Sequence, residues 1–367
     1  MSEWKKTYLR DLIVIKNGKD HKKLKNGPYP VYGSGGIMRY ADSYLYDQES
    51  VLLPRKGTLN NIQFVTEPFW TVDTCYYTVV NRDKVLPYFL YCCLCKMDIQ
   101  SLNTGSAVPS MTFEKYYSIE VPIPPLSTQH CIANILSRYD SLIENYQKQI
   151  KLLEEAAQRL YKEWFVDLRF PGHENTKIVD GVPEGWGKKR LIDLVDVQYG
   201  YAFDGKLFNS SGEGMPILRI RNIPDGITSD YTTEEAQDCY IVHNGDIVVG
   251  MDGIFHINSW SGGDAYLVQR ACSFRPKEEC MKGFIFQAIQ EPIKFFEKTL
   301  VGATVAHLGK KHIDSIELCI PKNFELYKPF SKFYNQRQGL LSQIRLLTEA
   351  RDRLLPKLMS GEINVES

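Results

Sequence analysis

Residues 126–165 read LSTQHCIANILSRYDSLIENYQKQIKLLEEAAQRLYKEWF. The stretch contains neither glycine nor proline, and it follows the proline-rich segment at residues 122–125, with Ser127 as the candidate N-cap. Apolar side chains recur at alternating spacings of four and three residues, at Tyr139, Ile143, Tyr146, Ile150, Leu153, Ala157, Leu160 and Trp164. This spacing predicts one long helix with a coiled-coil seam of roughly four heptads.

A narrow apolar stripe on a charged helix needs a second stripe to leave water. The C-terminus supplies one with the same spacing, at Phe333, Leu340, Ile344, Leu347, Leu354 and Leu358. The two stretches are also similar, since IKLLEEA at residues 150–156 aligns with IRLLTEA at residues 344–350. Arg337 and Arg351 on this second seam, with Gly339 inside it, should weaken the pairing, and Pro356 should kink or end the helix near its last turn. We therefore predict two long antiparallel helices.

The similarity extends over the whole chain. Anchor residues of the first half recur in the second half at the same spacing: Trp4, Leu9, Asp11, Leu12 and Gly18 match Trp186, Leu191, Asp193, Leu194 and Gly200. Further on, residues 50–57 align with 245–253, residues 104–111 with 301–308, and residues 118–124 with 315–321. The chain therefore contains an internal repeat of one globular part followed by one long helix.

The repeat predicts an α+β fold with two tandem globular domains joined by two antiparallel coiled-coil helices, related by a pseudo-two-fold axis. We place the first globular domain at residues 1–125 and the second at 174–323. A central helix and hinge occupy 126–173, and the C-terminal helix occupies 324–367. Because a helix of about 38 residues is about 57 Å long, the two globular domains should form a dumbbell that presents two similar surfaces at a fixed distance, as in dimeric DNA-binding proteins.

Composition alone excludes few classes of function. The 367 residues include 44 basic and 44 acidic side chains, so binding of nucleic acid would require local basic surfaces. No run of 18 apolar residues and no signal-peptide core occurs, and we expect a cytoplasmic protein that does not enter a membrane. The chain has nine cysteines. Cys92 and Cys95 form a C-x-x-C without a second pair, which favours core packing over a metal site.

Familiar catalytic patterns are missing from the sequence. It has no phosphate-binding glycine loop with Lys-Ser/Thr, no H-E-x-x-H, no G-x-S-x-G and no Asn/Asp-Pro-Pro-aromatic tetrapeptide. The glycines at residues 33–36 are more typical of a tight turn than of a nucleotide site, and His307 and His312 suit a surface or DNA-facing position. We therefore predict no catalytic residue and no metal site.

Polar and basic side chains beside glycine-rich turns are the candidates for DNA contact, because Arg, Lys and Asn recognise phosphates and base edges. In the first half these are Arg39, Arg55, Lys56, Asn60, Asn61, Thr104, Ser106 and Ser110. In the second half they are Arg219, Arg221, Asn222, Asp252, His256, Thr304, His307, Lys310 and Lys311. Each of them also suits an ordinary solvated turn, which is the alternative for every position.

Several segments together resemble the specificity subunit of Type I restriction-modification systems. They are VPIPPLSTQ at residues 121–129, IANIL at 132–136, KEWFVD at 162–167, VPEGW at 182–186 and RLLPKLMSGE at 353–362. The resemblance implies that the globular parts are target-recognition domains, each reading one half of a bipartite double-stranded DNA sequence, while the helices set the gap. It also implies docking of two adenine-methylating modification subunits, which restriction subunits join.

By the same resemblance, S-adenosylmethionine, ATP and Mg belong to those partner subunits, and this chain holds no cofactor. One alternative stays open from the sequence, namely a coiled-coil scaffold derived from such a subunit that binds no DNA. The two readings differ in one feature, since only the DNA-binding protein requires basic residues on one side of each globular part.

Overall fold

A computed structural model of the chain describes residues 4–103, 108–299 and 306–365. Contacts between residues group the chain into two compact units. Unit 1 comprises residues 1–142 and 347–367, and unit 2 comprises residues 143–346. Each unit therefore holds one globular part and a portion of both long helices. The four-part division drawn from the sequence stays a prediction.

In the described ranges unit 1 contains nine strands and three helices that begin in it, the last of which continues into unit 2, and it also holds the end of the C-terminal helix. The strands are β1 (Lys5–Tyr8), β2 (Ile13–Asn17), β3 (Tyr29–Gly33), β4 (Gly36–Ala41), β5 (Ser50–Pro54), β6 (Gln63–Val65), β7 (Trp70–Thr71), β8 (Cys75–Val80) and β9 (Glu120–Ile123). The helices are α1 (Pro87–Cys95), α2 (Phe113–Tyr117) and α3 (Leu126–Tyr161). The strands form a β1-β9 pair, a sheet ordered β2-β8-β5-β6 and a sheet ordered β4-β3-β7.

Unit 2 is larger, and its last helix continues into unit 1. Its strands are β10 (Ile178–Val179), β11 (Val182–Pro183), β12 (Trp186–Arg190), β13 (Val195–Tyr199), β14 (Phe208–Asn209), β15 (Met215–Leu218), β16 (Tyr231–Thr232), β17 (Ile241–Val242), β18 (Ile247–Gly250), β19 (Ile257–Ser259), β20 (Ala265–Leu267), β21 (Ala271–Pro276) and β22 (Glu317–Pro321). Its helices are α4 (Leu191–Leu194), α5 (Lys282–Ala288), α6 (Gln290–Thr299), α7 (Lys310–Asp314) and α8 (Lys328–Met359). The sheets are ordered β13-β21-β18-β19 and β14-β16-β15-β20-β17, beside the pairs β12-β22 and β10-β11.

The two units repeat one topology. The antiparallel sheet β2-β8-β5-β6 of unit 1 has the same strand order as β13-β21-β18-β19 of unit 2, and the β1-β9 pair corresponds to the β12-β22 pair. Strands β5 and β18 come from the aligned apolar runs, and every residue in both is buried. These features confirm the α+β fold and the internal repeat.

The matching glycines of the repeat have a steric cause. A Cβ atom on Gly18 would lie 2.0 Å from the carbonyl oxygen of Val72, and one on Gly200 would lie 2.2 Å from that of Val268. No side chain fits at such a distance. Each glycine lets the chain leave the first strand of its sheet against a neighbouring backbone.

The long helix α3 begins one residue earlier than its predicted cap. The Pro125 carbonyl accepts a hydrogen bond from the Gln129 N–H at 3.0 Å, so the helix begins at Leu126 and Ser127 lies in its first turn. The prediction of Ser127 as N-cap is therefore wrong, because the proline pair already ends the preceding strand and sets the helical entry. After Tyr161 the chain makes one π-helical turn over Lys162–Val166.

All of the predicted seam residues are buried or partly buried: Tyr139, Ile143, Tyr146, Ile150, Leu153, Ala157 and Leu160 on α3, Trp164 in the π-helical turn, and Phe333, Leu340, Ile344, Leu347, Leu354 and Leu358 on α8. In unit 2, Glu154 contacts Arg337, whereas Tyr161 packs against the earlier Phe330. Later residues of α3 thus meet earlier residues of α8. Within that unit the two helices run antiparallel.

Both seam arginines pair with acids in the structure, and their effect on the strength of the helix pairing stays a prediction. In unit 2, Arg337 Nε lies 2.6 Å from Glu154 Oε1, and in unit 1, Arg351 Nη1 lies 2.8 Å from Asp140 Oδ1. Each arginine therefore reaches an acid on the facing helix. The sequence placed both on the seam, but their partners depend on how the helices align. Helix α8 also continues through Pro356 and ends three residues later, within the predicted last turn.

Gly339 is the one weak point of α8 that substitution should improve. It is exposed in the helix, and apart from its neighbours and the backbone of the same helical turns no atom of the described residues lies within 4 Å of the position of its Cβ. We expect Gly339→Ala to raise the free energy of unfolding of unit 2 by about 1 kcal/mol, because alanine loses less backbone entropy in a helix. Thermal and urea unfolding of the full chain measure this change in the free energy of unfolding.

The matched control is the helical Gly283, where a Cβ would lie 2.1 Å from the carbonyl oxygen of Phe330. Gly283→Ala should destabilise unit 2. A lower unfolding midpoint for Gly339→Ala would contradict the open environment that the structure gives this glycine.

Candidate nucleic-acid interface

Unit 1 brings three loops together at the end of strand β5. The Gly57 N–H donates to the Pro109 carbonyl at 3.0 Å, and the Met111 N–H donates to the Arg55 carbonyl at 2.9 Å. A third loop joins them, because the Thr74 carbonyl accepts from the Arg55 N–H at 2.8 Å. We call residues 55–57, 73–74 and 108–111 the loop cluster of unit 1.

Unit 2 builds the same frame from the aligned residues. The Gly253 N–H donates to the Ala306 carbonyl at 3.0 Å, and the Leu308 N–H donates to the Met251 carbonyl at 2.7 Å. The Met251 N–H donates to the Arg270 carbonyl at 2.8 Å. Residues 251–253, 269–270 and 306–309 form the loop cluster of unit 2. One backbone arrangement thus occurs in both units.

The side chains on this shared frame differ between the units. Isolated bridges pair Lys56 with Ser110 in unit 1 and Asp252 with His307 in unit 2. In unit 2, Asp252 Oδ1 lies 2.6 Å from His307 Nδ1, and its Oδ2 lies 3.2 Å from Arg270 Nη1. The carboxylate side chain is only 18% exposed, whereas the histidine and arginine side chains are 60% and 69% exposed. Asp252 therefore holds two outward-facing donor groups in place.

In unit 1 the corresponding surface is basic. The Arg55 guanidinium lies 5.8 Å from the centre of the Tyr76 ring, in cation–π geometry, and its Nη1 donates weakly to the Asp73 carbonyl at 3.4 Å. Lys56 is exposed, and Ser110 is partly buried at the same edge. Both units therefore present polar groups from equivalent loops, with a different chemistry in each.

Three candidates of the first half hold loops together. Arg39 Nη2 donates to the Leu24 carbonyl at 3.0 Å. The Asn60 side chain accepts from the Gln100 N–H at 2.7 Å, and Asn61 Nδ2 donates to the Ser34 carbonyl at 2.7 Å. These contacts give all three a structural role, and DNA contact by them stays a prediction.

The second-half candidates at residues 219–222 lie apart from the loop cluster in sequence. Arg221 pairs with Asp230, with Nη2 2.6 Å from Oδ1, and this hydrogen bonding raises the pKa of Arg221 above its usual value. Arg219 lies 5.3 Å from the centre of the Phe208 ring, and the Asn222 side chain accepts from the Arg219 N–H at 2.9 Å. The Asn222 side chain therefore stabilises this turn, and the two arginines connect the turn to Asp230 and to Phe208 on β14.

The remaining candidates fall at three kinds of position. His256 is partly buried, and its carbonyl accepts from the Gly250 N–H at 2.9 Å. Lys310 and Lys311 are exposed in the first turn of α7, directly after the loop cluster of unit 2. A separate set lies outside the described residues, comprising Thr104, Ser106 and Thr304.

Arg270 was missed by sequence reasoning. It adopts a left-handed backbone with φ of 71° in the turn between β20 and β21, and it presents its guanidinium beside Asp252. A non-glycine residue with such a φ is uncommon and is often found where strain serves a function. No sequence signal indicates a functional role for this arginine, because it lies in a short connection between two ordinary strands.

Residues 1–155 and 183–345 match the protein family described as the Type I restriction modification DNA specificity domain. The chain belongs to this family. Each matched segment includes one of the two loop clusters.

Relatives and a solved structure agree with this assignment. The chain is 26% identical to the MjaIX specificity subunit of a Type I restriction enzyme from Methanocaldococcus jannaschii, over 88% of this chain and 79% of the relative. It is also 26% identical to the MjaVIII specificity subunit of the same organism, over 98% and 85%. The S subunit of a Type I restriction-modification system from M. genitalium has the same fold, with a TM-score of 0.62, 19% identity and coverage of 97% and 96%.

The cysteines of this family member take no part in a metal site within the described ranges, where no group of three His, Cys, Asp or Glu side chains could hold an ion. Cys92 is buried in the core, and burial raises the pKa of its thiol well above the usual value. Cys95 is exposed, so the prediction of core packing is wrong for that residue. It is the last residue of α1. No helix in the described part of the chain is long and apolar enough to cross a membrane.

Proposed function

We propose that this chain is the DNA specificity subunit of a Type I restriction-modification complex, in which each loop cluster reads one half of a bipartite duplex sequence. One observation carries the proposal. The two clusters share three equivalent backbone hydrogen bonds between the same aligned positions, while the side chains at the exposed edge differ. A duplicated frame with different contact groups suits two modules that dock on DNA in the same way and recognise different bases.

The side chains on each frame match groups that base edges offer. In unit 2, Arg270 can donate to the O6 and N7 acceptors of guanine, and His307 can donate through its second ring nitrogen. In unit 1, Lys56 suits guanine acceptors or phosphate, and the Ser110 hydroxyl can donate or accept. The two halves of the target should therefore differ in sequence.

In this proposal the helices α3 and α8 set the gap between the two half-sites and dock two adenine-methylating modification subunits, which restriction subunits join in the full nuclease. The chain itself catalyses no reaction and binds no cofactor. S-adenosylmethionine, ATP and Mg are bound by the partner subunits. The complex acts on double-stranded DNA in the cytoplasm.

The proposal is tested by expressing the chain with its modification subunit and mapping adenine methylation of genomic DNA by single-molecule sequencing. We expect one bipartite motif with a fixed gap. A matched culture that expresses the modification subunit alone should lack that motif. A stable complex that leaves the DNA unmethylated and does not bind it would instead support the scaffold alternative.

A further inference from the structure

Unit 1 carries a concentrated basic segment that runs from the end of strand β2 towards strand β3. Residues 16–25 contain five lysines and a single acid, and every lysine is exposed: Lys16, Lys19, Lys22, Lys23 and Lys25. Within residues 4–103, 108–299 and 306–365 none of the five forms an ion pair, whereas the exposed Arg221 and Arg270 described above do. We call this segment the lysine loop. Its charge is available to an external anion.

The backbone of the lysine loop is fixed at both ends. Near its start, the Lys19 N–H donates to the Thr71 carbonyl at 2.8 Å, and the Trp70 indole donates back to the Lys19 carbonyl at 2.9 Å. Near its end, the Lys25 N–H donates to Asp42 Oδ1 at 3.1 Å, and the Asp42 N–H donates to the Lys25 carbonyl at 3.0 Å. A segment that only kept the protein soluble would need no such anchoring. Binding through it requires ordering of lysine side chains but not of the loop.

The β3-β4 hairpin joins the lysine loop to the loop cluster of unit 1. At the hairpin base, Arg39 on β4 donates to the Leu24 carbonyl of the lysine loop. At the hairpin tip, the Ser34 carbonyl accepts from Asn61, and a Cβ on Gly57 of the loop cluster would lie 3.1 Å from the Ser34 hydroxyl. Strand β4 has six residues. It is therefore about 20 Å long, which is close to the length of six base-pair steps.

The hairpin also exposes apolar side chains between these two basic regions. Ile37, Met38 and Tyr40 on β4 are 49%, 58% and 51% exposed. Isolated exposed apolar residues are common, but three on one short strand beside a lysine cluster are not typical of a solvated edge. DNA grooves accept apolar side chains while the flanking phosphates attract lysine.

Unit 2 has no counterpart to the lysine loop. After the equivalent glycine, Gly200, the connection to β15 contains Lys206 as its only lysine. Its apolar side chains are aromatic and pack together, with Tyr201 and Phe203 ring centres 4.8 Å apart. The lysine loop thus occurs in unit 1 and not in the corresponding connection of unit 2, although both units have a loop cluster.

We infer that the lysine loop binds DNA backbone phosphates about six base pairs from the bases that the loop cluster of unit 1 reads, with the exposed face of β4 against the groove between them. The inference rests on the proposed function. It gives unit 1 the larger share of the sequence-independent, salt-sensitive binding. Unit 2 then contributes mainly through its loop cluster.

The test uses the full chain in complex with its modification subunits and a fluorescein-labelled DNA duplex of scrambled sequence. Anisotropy titrations over a range of salt concentrations give the slope of log affinity against log salt. We expect Lys22→Gln/Lys23→Gln/Lys25→Gln to reduce that slope by about 2.7, which is about 0.9 for each lost phosphate contact, and to weaken binding roughly tenfold or more at 0.1 M salt. A matched control with the same charge change is Lys188→Gln/Lys189→Gln/Lys322→Gln, which should leave the slope unchanged. These three exposed lysines lie on β12 and directly after β22.

The outcomes separate this inference from the proposed function. An unchanged slope for the lysine-loop variant, with wild-type methylation of the mapped motif, would overturn the inference and leave the function standing. Failure of the wild-type complex both to bind the duplex and to methylate DNA would overturn the two together.

The variant Ile37→Ser/Met38→Ser provides a second test, because it should keep the salt slope and weaken binding to the mapped target roughly tenfold. Unaltered target affinity for that variant would remove the hairpin from the interface.

Discussion

Replacement of Arg337 by methionine is expected to lower the free energy of unfolding of unit 2 by about 3 kcal/mol. The arginine lies on the seam of α8 and is 8% exposed. It bonds Glu154 on α3 at 2.6 Å, Asn258 Oδ1 at 2.8 Å and the buried hydroxyl of Ser259. Methionine keeps the apolar stem but removes the donor from the Glu154 carboxylate and from the Ser259 hydroxyl, whereas Asn258 Oδ1 still accepts from the Ser259 N–H at 2.8 Å. Because Glu154 is 38% exposed, water offsets part of the loss, which places the effect at the lower end of the range for broken buried pairs.

Chemical denaturation of the full chain, followed by tryptophan fluorescence, measures this effect, since Trp164 packs near Phe330 on the same helix pair. The matched control is Arg351→Met, whose arginine is 30% exposed and pairs with Asp140 and Asp352. We expect this control variant to lower the free energy of unfolding by about 1 kcal/mol. The double variant Arg337→Met/Glu154→Leu should recover part of the stability, because it removes the unpaired carboxylate. A loss below that of Arg351→Met would contradict the role assigned to Arg337.

Arg337 also connects the helix pair to the sheet that carries the loop cluster of unit 2. Asn258 and Ser259 belong to β19, which pairs with β18, and β18 leads directly into Met251 and Asp252. The guanidinium therefore couples the seam to the strand that positions the candidate DNA contacts. This coupling explains why a charged residue occupies a seam position, where an apolar residue would serve helix pairing alone.

The repeat and the long helices could be predicted from the sequence because both depend on local signals. The seam follows from apolar residues at alternating spacings of four and three. The repeat follows from anchor residues such as Gly18 and Gly200, where contact with a neighbouring backbone leaves no room for a side chain. Helix α3 begins at Leu126 as predicted, but its cap was wrongly placed at Ser127, since the entry depends on the Pro125 carbonyl and on the buried Gln129 side chain, which accepts from the Leu86 N–H at 2.9 Å.

The candidate site could be predicted only in part. The alignment of residues 104–111 with 301–308 anticipated that two loops would correspond, and the structure brings Ser110 and His307 to equivalent places. It could not show that Asn60 and Asn61 are committed to neighbouring loops, because their partners lie far away in sequence. Arg270 was missed for the same reason, since its importance comes from contact with Asp252, 18 residues earlier.

Changing the loop cluster of unit 2 is expected to alter one half of the methylated motif and leave the other half and the gap intact. In Asp252→Asn/His307→Ala, Arg270 loses its carboxylate partner and the exposed imidazole is removed. Each lost or misplaced base contact should cost about 1–3 kcal/mol of discrimination, or roughly 5- to 150-fold. Methylation should therefore fall at the original sites and become less selective within a single half-site. Single-molecule sequencing of genomic DNA reads both effects directly.

The matched variant Lys56→Ala/Ser110→Ala, at the equivalent positions of unit 1, should change the opposite half of the same motif. Since both pairs lie at the exposed edge of one repeated backbone frame, thermal unfolding of either variant should differ little from that of the wild type. Relaxation of the same half-site by both variants, or an equal loss at both halves, would show that the clusters do not read separate sequences. If the two variants change opposite halves of the motif, each half is read by one copy of the repeat. Neither the fold nor the family match can assign the half-sites in this way.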